Sequence, residues 1–441
     1  MRIRAVSSSV LEPLRHLGAL GYFLFWLLAA SGIYLYIRFD TSLAGAYDSI
    51  GELEWWFGGV LRSLHRYVAD AFVFVTLAHL VKEMWLGRFR GFRAFSWISG
   101  VPLVWLLYAS GIVGYWLVWD QRAQFSFLGI LEWFRMGPAG AGAAYDRLFS
   151  LFVFLHIGLP LALLAGMWIH LQRLGRPETA APRTLALGLA GALLVLAAVR
   201  PAVSEAPWDP ERAPQDIQLD WFYQFLHPLM YATSPAALWI LILGISAILL
   251  ALPYLSKAPK LAAAVVDPQN CNGCGRCVAD CPYEAVLLSR SSSSKLLAQV
   301  IPGRCAACGI CAGACPSSTP FRSMRELVSG IDLPDLRVND LRAQLQAVLA
   351  SNAEEVVFSC DKSKNKGTIA LRCIAMLPPA FIEYALRKGA RRVRAVGCEG
   401  ECAYRLGLEL SERRFSGARE PHLRANVLAA RNDHEYAFTL R

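Results

Sequence analysis

The stretch Arg62-Ser63-Leu64-His65-Arg66-Tyr67-Val68-Ala69-Asp70-Ala71-Phe72-Val73-Phe74-Val75-Thr76-Leu77-Ala78-His79 sets the plan of this chain. His65 and His79 stand 14 positions apart in a largely apolar run, and a second run repeats that spacing with His156 and His170. On a helix rising about 1.5 Å per residue, 14 positions cover roughly 21 Å, and steps of about 100° return to within about 40° of the start. Each pair therefore shares a helix face. Two such helices side by side offer two imidazole pairs, one toward each side of a bilayer, as bis-imidazole ligation of two stacked b-type haems requires. Histidines within membrane segments are rare and mostly functional, and the identical spacing weighs against four unrelated polar residues.

Outward from that stretch the chain divides sharply. Of its 441 residues 55% are hydrophobic and only 18% charged, a balance that fits a membrane protein carrying a soluble part. Up to about Leu255 long apolar runs dominate and cysteine is absent; all 12 cysteines lie between Cys271 and Cys402. That confinement, at ligand-like spacing, points to metal sites in a reducing cytoplasm rather than disulfides. The net charge of +10 does not read as a nucleic-acid surface, because the arginines are scattered and many flank apolar segments. They read as topology signals and as a surface for an acidic partner.

Six apolar segments are expected, over about Leu17–Ile37, Tyr67–Leu86, Trp97–Trp119, Leu148–Leu171, Thr184–Val199 and Ala236–Leu255. Most approach the roughly 20 residues that span hydrocarbon; the fifth is short. The first segment is long and lacks a small-residue cleavage pattern, so it reads as a span rather than a leader. With the N-terminus inside, inner loops hold more Lys and Arg than outer ones, and Asp40, Asp48, Glu52 and Glu54 fall outside. An even number of spans leaves the cysteine-rich half in the cytoplasm of a bacterial inner membrane protein. The second and fourth segments then run parallel, pairing His65 with His156 near the outer face and His79 with His170 near the inner. Arg62, one turn before His65, is placed to neutralise a haem propionate. Gly100, Gly111 and Gly114 could admit a flat macrocycle or a neighbouring helix. His16 and His227 read as structural or interfacial. The aromatic stretch 214–232 reads as an amphipathic segment at the outer interface, or as a lid over a quinone site.

Leu61-Arg62-Ser63-Leu64-His65, then His79, then Gly114-Tyr115-Trp116-Leu117-Val118-Trp119-Asp120-Gln121, resemble cytochrome b of the quinol-oxidising bc-type complexes. The segment from Leu148 to Pro177 fits the next part of that family. Ala213-Pro214-Gln215-Asp216-Ile217 followed by Asp220-Trp221-Phe222 is similar to its outer quinol-site segment. The resemblance covers about residues 10–255. It implies a lower-potential haem outside, a higher-potential haem inside, a quinone site and a homodimer within a larger complex. The sequence departs from the family in three places. Its Pro-Glu-Trp-Tyr reads Leu219-Asp220-Trp221-Phe222, so Asp220 keeps a carboxylate able to take a quinol proton, on a shorter arm. Its Pro-Trp-Gly reads Val118-Trp119-Asp120. Gly175 stands about where the family often has an inner-face histidine.

After a linker from Pro253 to Pro268, the chain reads Cys271-x2-Cys274-x2-Cys277-x3-Cys281-Pro282 and repeats this as Cys305-x2-Cys308-x2-Cys311-x3-Cys315-Pro316. Zinc sites rarely use this four-cysteine run twice. Residues 266–318 resemble bacterial ferredoxins with two 4Fe–4S clusters, in which three thiolates of each run grip one cluster and the fourth ligates the other. That assigns Cys271, Cys274, Cys277 and Cys315 to one cluster, and Cys305, Cys308, Cys311 and Cys281 to the second. The Ser289–Ser294 tract reads as a flexible excursion, and a charged helical connector is expected over about Met324–Ala350.

Three short apolar runs follow, each ending in a cysteine: Glu355–Cys360, Thr368–Cys373 and Arg392–Cys398, with a helix-like stretch Ala380–Lys388 closed by Gly389. Such alternation predicts a small parallel sheet, whose carboxyl edge would gather Cys360, Cys373 and Cys398, with Cys402 just beyond. Four converging thiolates could hold a 2Fe–2S cluster or a structural zinc. The segment Arg372-Cys373 through Ala380-Phe381, Lys388-Gly389-Ala390 and Gly397-Cys398 to Cys402-Ala403-Tyr404 resembles the delta subunit of methyl-viologen-reducing hydrogenases, over about residues 355–415. Ser363 stands where that family has a second cysteine in its first motif, and the closing pair is one residue tighter. The resemblance favours 2Fe–2S, and a heterodisulfide-reductase-type flavoprotein, or a dehydrogenase feeding one, as cytoplasmic partner.

The expected architecture is a polytopic α-helical membrane domain with a di-haem four-helix core over 1–257, a ferredoxin-like α+β domain over 262–320, a connector over 321–354 and a small α/β iron–sulfur domain over 355–441. Electrons would pass from a soluble donor through the Cys360 set, two 4Fe–4S clusters and two b haems to menaquinone or ubiquinone. Reverse flow, with quinol oxidised outside beside a Rieske-type or cytochrome c partner, and a redox-sensing membrane anchor are the alternatives.

Overall fold

The computed structural model describes residues 12–53, 55–134, 143–209, 211, 217–255, 261–291, 294–398 and 401–424. Ala213–Asp216 of the expected quinol-site segment, Ser292 and Ser293 of the serine tract and most of the expected linker's centre (256–260) lie outside the described residues. The chain forms two compact units, Met1–Gln172 with Pro177–Lys257, and Arg173–Arg176 with Ala258–Arg441.

The first unit is helical: α1 Glu12–Arg15, α2 Leu17–Arg38, α3 Ala46–Gly51, α4 Val60–Trp85, α5 Ala94–Trp116, α6 Gln121–Trp133, α7 Ala143–Leu171, α8 Arg183–Val199, α9 Leu226–Ala232 and α10 Pro235–Leu255. Helices over Leu17–Arg38, Trp56–Trp85, Gly91–Trp116, Tyr145–Leu171 and Pro235–Leu255 are long and apolar enough to cross a membrane, whereas α8 is shorter. Large side chains such as Phe154, Val195, Ile240 and Leu243 are exposed on these helices, as suits contact with lipid. Inside, α2 packs on α4 and α5 on α7, around buried Leu24, Val68, Phe72, Val113, Phe149 and Phe152. Lipid removes the hydrophobic drive between helices, so close packing at small residues must hold them; Gly21 of α2, for example, faces the Phe72 ring of α4.

Several helix boundaries differ from those expected. Helix α4 begins at Val60 rather than near Tyr67, so Arg62 and His65 lie within it; the charge of Arg66 is tolerated because Asp70, one turn on, pairs with it at 2.5 Å. Helix α5 ends at Trp116 rather than Trp119, since Trp119 takes a left-handed φ of 56° and its indole stacks on Trp208 at 4.2 Å. Asp120 then caps α6, a helix that no expected segment covers, accepting from the Ala123 N–H at 2.9 Å.

In the second unit, β1 Val265–Val266 pairs antiparallel with β4 Ile331–Asp332, and β2 Val286–Arg290 with β3 Leu296–Val300. Short helices α11 Arg276–Ala279 and α12 Ile310–Ala314 follow the cysteine loops. The expected connector helix forms only as α13, Val338–Ala350. Ahead of it the chain is committed to β4, and Gly330 packs so tightly on Asn270 that a Cβ there would lie 2.8 Å from its carbonyl oxygen. Of the serine tract, Ser289 and Arg290 belong to β2, and just beyond them the Ser291 N–H donates to Lys295 O. Beyond α13 come β5 Glu355–Cys360, β6 Ile369–Leu371, α14 Pro379–Arg387, β7 Arg392–Val396 and α15 Gly407–Phe415, with a parallel sheet in the order β6-β5-β7. One hydrophobic core runs from Cys271, Val286 and Ile331 to Val356, Phe358 and Phe381, so the cysteine repeats and the sheet are packed together. The tetrapeptide Arg173–Arg176 is part of this unit: Arg405 donates to the carbonyls of Gly175, Arg176 and Pro282.

Candidate redox centres

The imidazoles of His65 (α4) and His156 (α7) face one another with ring centroids 6.3 Å apart. A metal bonded to both at about 2 Å, with about 1 Å from each nitrogen to its ring centre, needs about 6 Å. The spacing fits. The outer nitrogens are anchored: Nδ1 of His65 lies 2.9 Å from Ser31 Oγ and Nδ1 of His156 lies 3.0 Å from Ser110 O. Such anchoring fixes tautomer and ring orientation and leaves Nε2 free to ligate. In the second pair, His170 Nδ1 lies 3.1 Å from Ser99 Oγ, and His79 is an electrostatic neighbour of His170.

A glycine meets each ring. A Cβ would stand 3.7 Å from His79 Cε1 at Gly18, 3.2 Å from His65 Cε1 at Gly32, 3.1 Å from His170 Cε1 at Gly100 and 2.7 Å from His156 Cε1 at Gly114. Gly18 and Gly32 are as far apart along α2 as Gly100 and Gly114 along α5, and the same interval separates the histidines. At Gly32, Gly100 and Gly114 the backbone comes closer to the ring than a Cβ would normally allow, whereas at Gly18 the contact is an ordinary one. Gly111, in contrast, gives its space to the Tyr223 ring. Arg62, one turn before His65, donates to Ser204 Oγ at 2.7 Å.

Asp220 is buried, and both its carboxylate oxygens are engaged. Oδ2 accepts from Arg66 and, at 2.9 Å, from the Tyr115 hydroxyl; Oδ1 accepts from the N–H groups of Phe222 and Tyr223. Arg66 is thus shared by Asp220 and Asp70. Of the 214–232 stretch, Tyr223, Gln224, His227 and Met230 turn inward while Trp221, Phe225 and Tyr231 stay exposed. His227 bridges α9 to α6, its ring nitrogens 2.9 Å from Ser126 O and 3.2 Å from Gln224 O; burial lowers its pKa. His16 lies 3.6 Å from Glu178.

No disulfide joins any of the 12 cysteines. Among the described residues no three His, Cys, Asp or Glu side chains close on a point that a single ion would occupy. The cysteines gather instead in three wider sets. Cys271, Cys274, Cys277 and Cys315 line one cavity with Leu288 and Ala298. Cys281, Cys305, Cys308 and Cys311 are mutual electrostatic neighbours, and Cys311 also neighbours Cys277. The loops wrap inward through left-handed residues: Gly273 and Gly275 in the first, Ala307 and Gly309 in the second. Backbone N–H groups of Ala298, Ala285 and Ala307 point at the sulfurs of Cys271, Cys281 and Cys305 at 3.2 to 3.5 Å, a lever on cluster potential. Burial pushes the Cys277 and Cys308 thiols up to about 12; as thiolates they need a cation beside them, which cluster iron supplies.

Cys360 ends β5, Cys373 follows β6 by two residues and Cys398 follows β7 by two. Cys360 and Cys398 sulfurs are 3.3 Å apart, and hydrogen bonds from Cys373 and Cys398 hold the Cys402 thiol well below the usual thiol range. A Cβ at Gly407 would invade the space of Cys373 and come within 3.3 Å of Cys402 Sγ. The four thiols therefore surround a site that leaves no room for a side chain. Cys373 is also a neighbour of Cys308, and Tyr404 lies among Cys308, Cys373 and Cys360.

Three family models match successive parts of the chain: cytochrome b/b6/petB over residues 2–176, a 4Fe–4S dicluster domain over 270–319, and the methyl-viologen-reducing hydrogenase delta subunit over 334–431. The chain is a fusion of regions similar to these three families. It is 29% identical to the cytochrome bc complex cytochrome b subunit of Chlorobaculum thiosulfatiphilum over 184 residues, 38% of this chain and 42% of that protein. It is 26% identical to cytochrome b6 of Prochlorococcus marinus (strain MIT 9515) over 182 residues, 38% of this chain and 82% of that protein. The chain thus spans less than half the length of the Chlorobaculum relative. A chain of a hyperthermophilic respiratory complex III aligns with a TM-score of 0.47 at 21% identity, covering 56% of this chain and 76% of that one. The N-terminal half is a multi-pass helical membrane domain with cytochrome b similarity, followed by a 4Fe–4S dicluster region.

Proposed function

We propose that this chain is a membrane electron-transfer subunit that joins a cytoplasmic flavoprotein or dehydrogenase, of heterodisulfide-reductase type, to the quinone pool. One observation carries the reading. The three cysteine sets form an unbroken series in one core, from Cys373 beside Cys308 to Cys311 beside Cys277, in the same chain as two imidazole pairs set into membrane helices. When bound, the haems and clusters supply reversible one-electron redox chemistry. The chain's own residues position them. Ser31, Ser99 and the Ser110 carbonyl orient the imidazoles, Arg62 is the candidate propionate partner, and glycines hold the flanking space open. Cys271, Cys274, Cys277 and Cys315 would hold one 4Fe–4S cluster; Cys305, Cys308, Cys311 and Cys281 would hold the other. Cys360, Cys373, Cys398 and Cys402 would hold a 2Fe–2S cluster, which the resemblance to the hydrogenase delta subunit favours over a structural zinc.

Asp220 is the candidate proton carrier for quinone, on the side of His65, with its carboxylate accepting from Tyr115 and Arg66. That placement also supports the reverse direction, in which quinol is oxidised outside and electrons are driven to a low-potential acceptor. The reading places the cysteine sets in the cytoplasm of a bacterial inner membrane protein.

The test is reduction of the purified protein with dithionite, followed by reoxidation with a soluble quinone analogue. Absorbance of b-type haem, iron–sulfur signals by electron paramagnetic resonance and fast reoxidation are expected. Haem that reduces but ignores the quinone overturns the quinone half of the reading.

A further inference from the structure

The cysteine-repeat loops and the small sheet meet at one buried charge. Arg414, on α15, is 0% exposed. Its Nη1 donates to Ala375 O at 2.7 Å, and its Nη2 donates to Ile310 O at 3.3 Å and to the Asp280 carboxylate. Each of these partners adjoins a cysteine: Asp280 precedes Cys281, Ile310 precedes Cys311, and Ala375 follows Cys373 by two. Gly313 closes the cage, since a Cβ there would lie 2.9 Å from Arg414 Nη1.

Asp280 is also 0% exposed and takes a second guanidinium, Arg419, whose Nε donates to Oδ1 at 2.6 Å. Two guanidiniums on one buried carboxylate leave a formal charge of about +1, with Arg414 wholly buried and Arg419 one-fifth exposed. Arg414 Nε has no hydrogen-bond partner there. Burying a cation with no full counter-charge is unfavourable unless something anionic lies close by. Cys373 is an electrostatic neighbour of Arg414, and the second 4Fe–4S set and the Cys360 set flank it on either side.

We propose that Arg414 is a positioning residue that raises the reduction potentials of the cluster held by Cys281, Cys305, Cys308 and Cys311 and of the cluster held by Cys360, Cys373, Cys398 and Cys402, coupling the two as one redox pair. This rests on the reading that both sets hold iron–sulfur clusters. Each cluster gains one electron on reduction, with no bond made or broken, so a fixed neighbouring cation favours the more anionic reduced form. The excess charge that would be costly beside neutral groups becomes favourable beside thiolate-ligated clusters.

The test is an equilibrium redox titration of the full-length protein, followed by electron paramagnetic resonance, for wild type, Arg414→Lys and Arg414→Gln. Arg414→Gln should move both neighbouring clusters to lower potential and leave the Cys271-Cys274-Cys277-Cys315 cluster nearly in place. Arg414→Lys keeps the charge and should move them much less. Unchanged potentials in Arg414→Gln, or equal shifts in both variants, overturn the proposal. If Arg414→Gln fails to assemble, Arg419→Gln removes one charge from the same carboxylate at a side chain 20% exposed; it should shift the same two clusters in the same direction, and no shift overturns the proposal. Wild-type protein lacking iron–sulfur signals would instead overturn the underlying reading.

Discussion

Gly114 meets His156 edge-on, so that a Cβ at position 114 would stand 2.7 Å from the imidazole Cε1. Neither the ring nor the helix can yield without disturbing the His65–His156 pair. Gly114→Ala should lose the haem of that pair and keep the other, leaving roughly half the b-type absorbance. Gly158→Ala, with nothing within 4 Å of its Cβ, is the control and should keep both. Equal spectra for the two variants would sink the assignment.

Asp220 and Asp70 share Arg66. Asp220→Asn keeps the shape but leaves Arg66 with one carboxylate. We expect haem content unchanged, and a quinone-linked rate at least about tenfold lower with its pH dependence lost, as for removal of a proton-transfer group. A rate and pH profile equal to wild type would remove Asp220 from the chemistry and leave it as a structural partner of Arg66.

Asp120 caps α6 and also accepts from the Glu205 N–H at 3.0 Å. Asp120→Ala should cost about 1–2 kcal/mol, the ordinary value of a lost cap. It should also weaken the Trp119–Trp208 stack, to be read in near-ultraviolet circular dichroism. An unaltered melting temperature would contradict the capping role.

Burial raises the Asp332 carboxyl to about 6, against the pull of the Val338 and Leu333 N–H groups. In an unfolded chain the same group titrates near about 3.9. Between those values the folded protein binds more protons than the unfolded chain, so this group's contribution falls as pH rises from about 4 to about 6 and is flat above. Asp332→Asn removes that slope. The melting temperature of the variant minus that of wild type should grow more positive from pH 5 to pH 7, and a constant difference would refute the shift.

Cys373 is buried at the meeting point of two cysteine sets. Cys373→Ser should lose the signal of a 2Fe–2S cluster while both 4Fe–4S signals remain. Loss of zinc with iron unchanged would assign the site to a structural zinc instead.

Periodicity made much of this legible. The histidine interval marks two helices and four candidate ligands, and the apolar runs ending in Cys360, Cys373 and Cys398 correspond to β5, β6 and the stretch from β7. Gly18 and Gly32 went unread because a glycine in a membrane helix carries no chemistry of its own. Their interval, equal to that of the histidines, was the available signal. Arg66 read as a topology charge because its partner Asp220 is 154 positions away, and no local pattern encodes so distant a contact. Helix α6 was hidden for a similar reason: its signal is a single cap, Asp120, at a position where the resemblance directed attention to a departure from the family motif.

Each imidazole pair takes one ring from α4 and one from α7. Neither imidazole pair exists, then, until both helices are in place, and the two become complete together. During synthesis a ribosome must pass beyond His170 before either pair can close. A chain released before that point would carry half of each imidazole pair and the whole of neither.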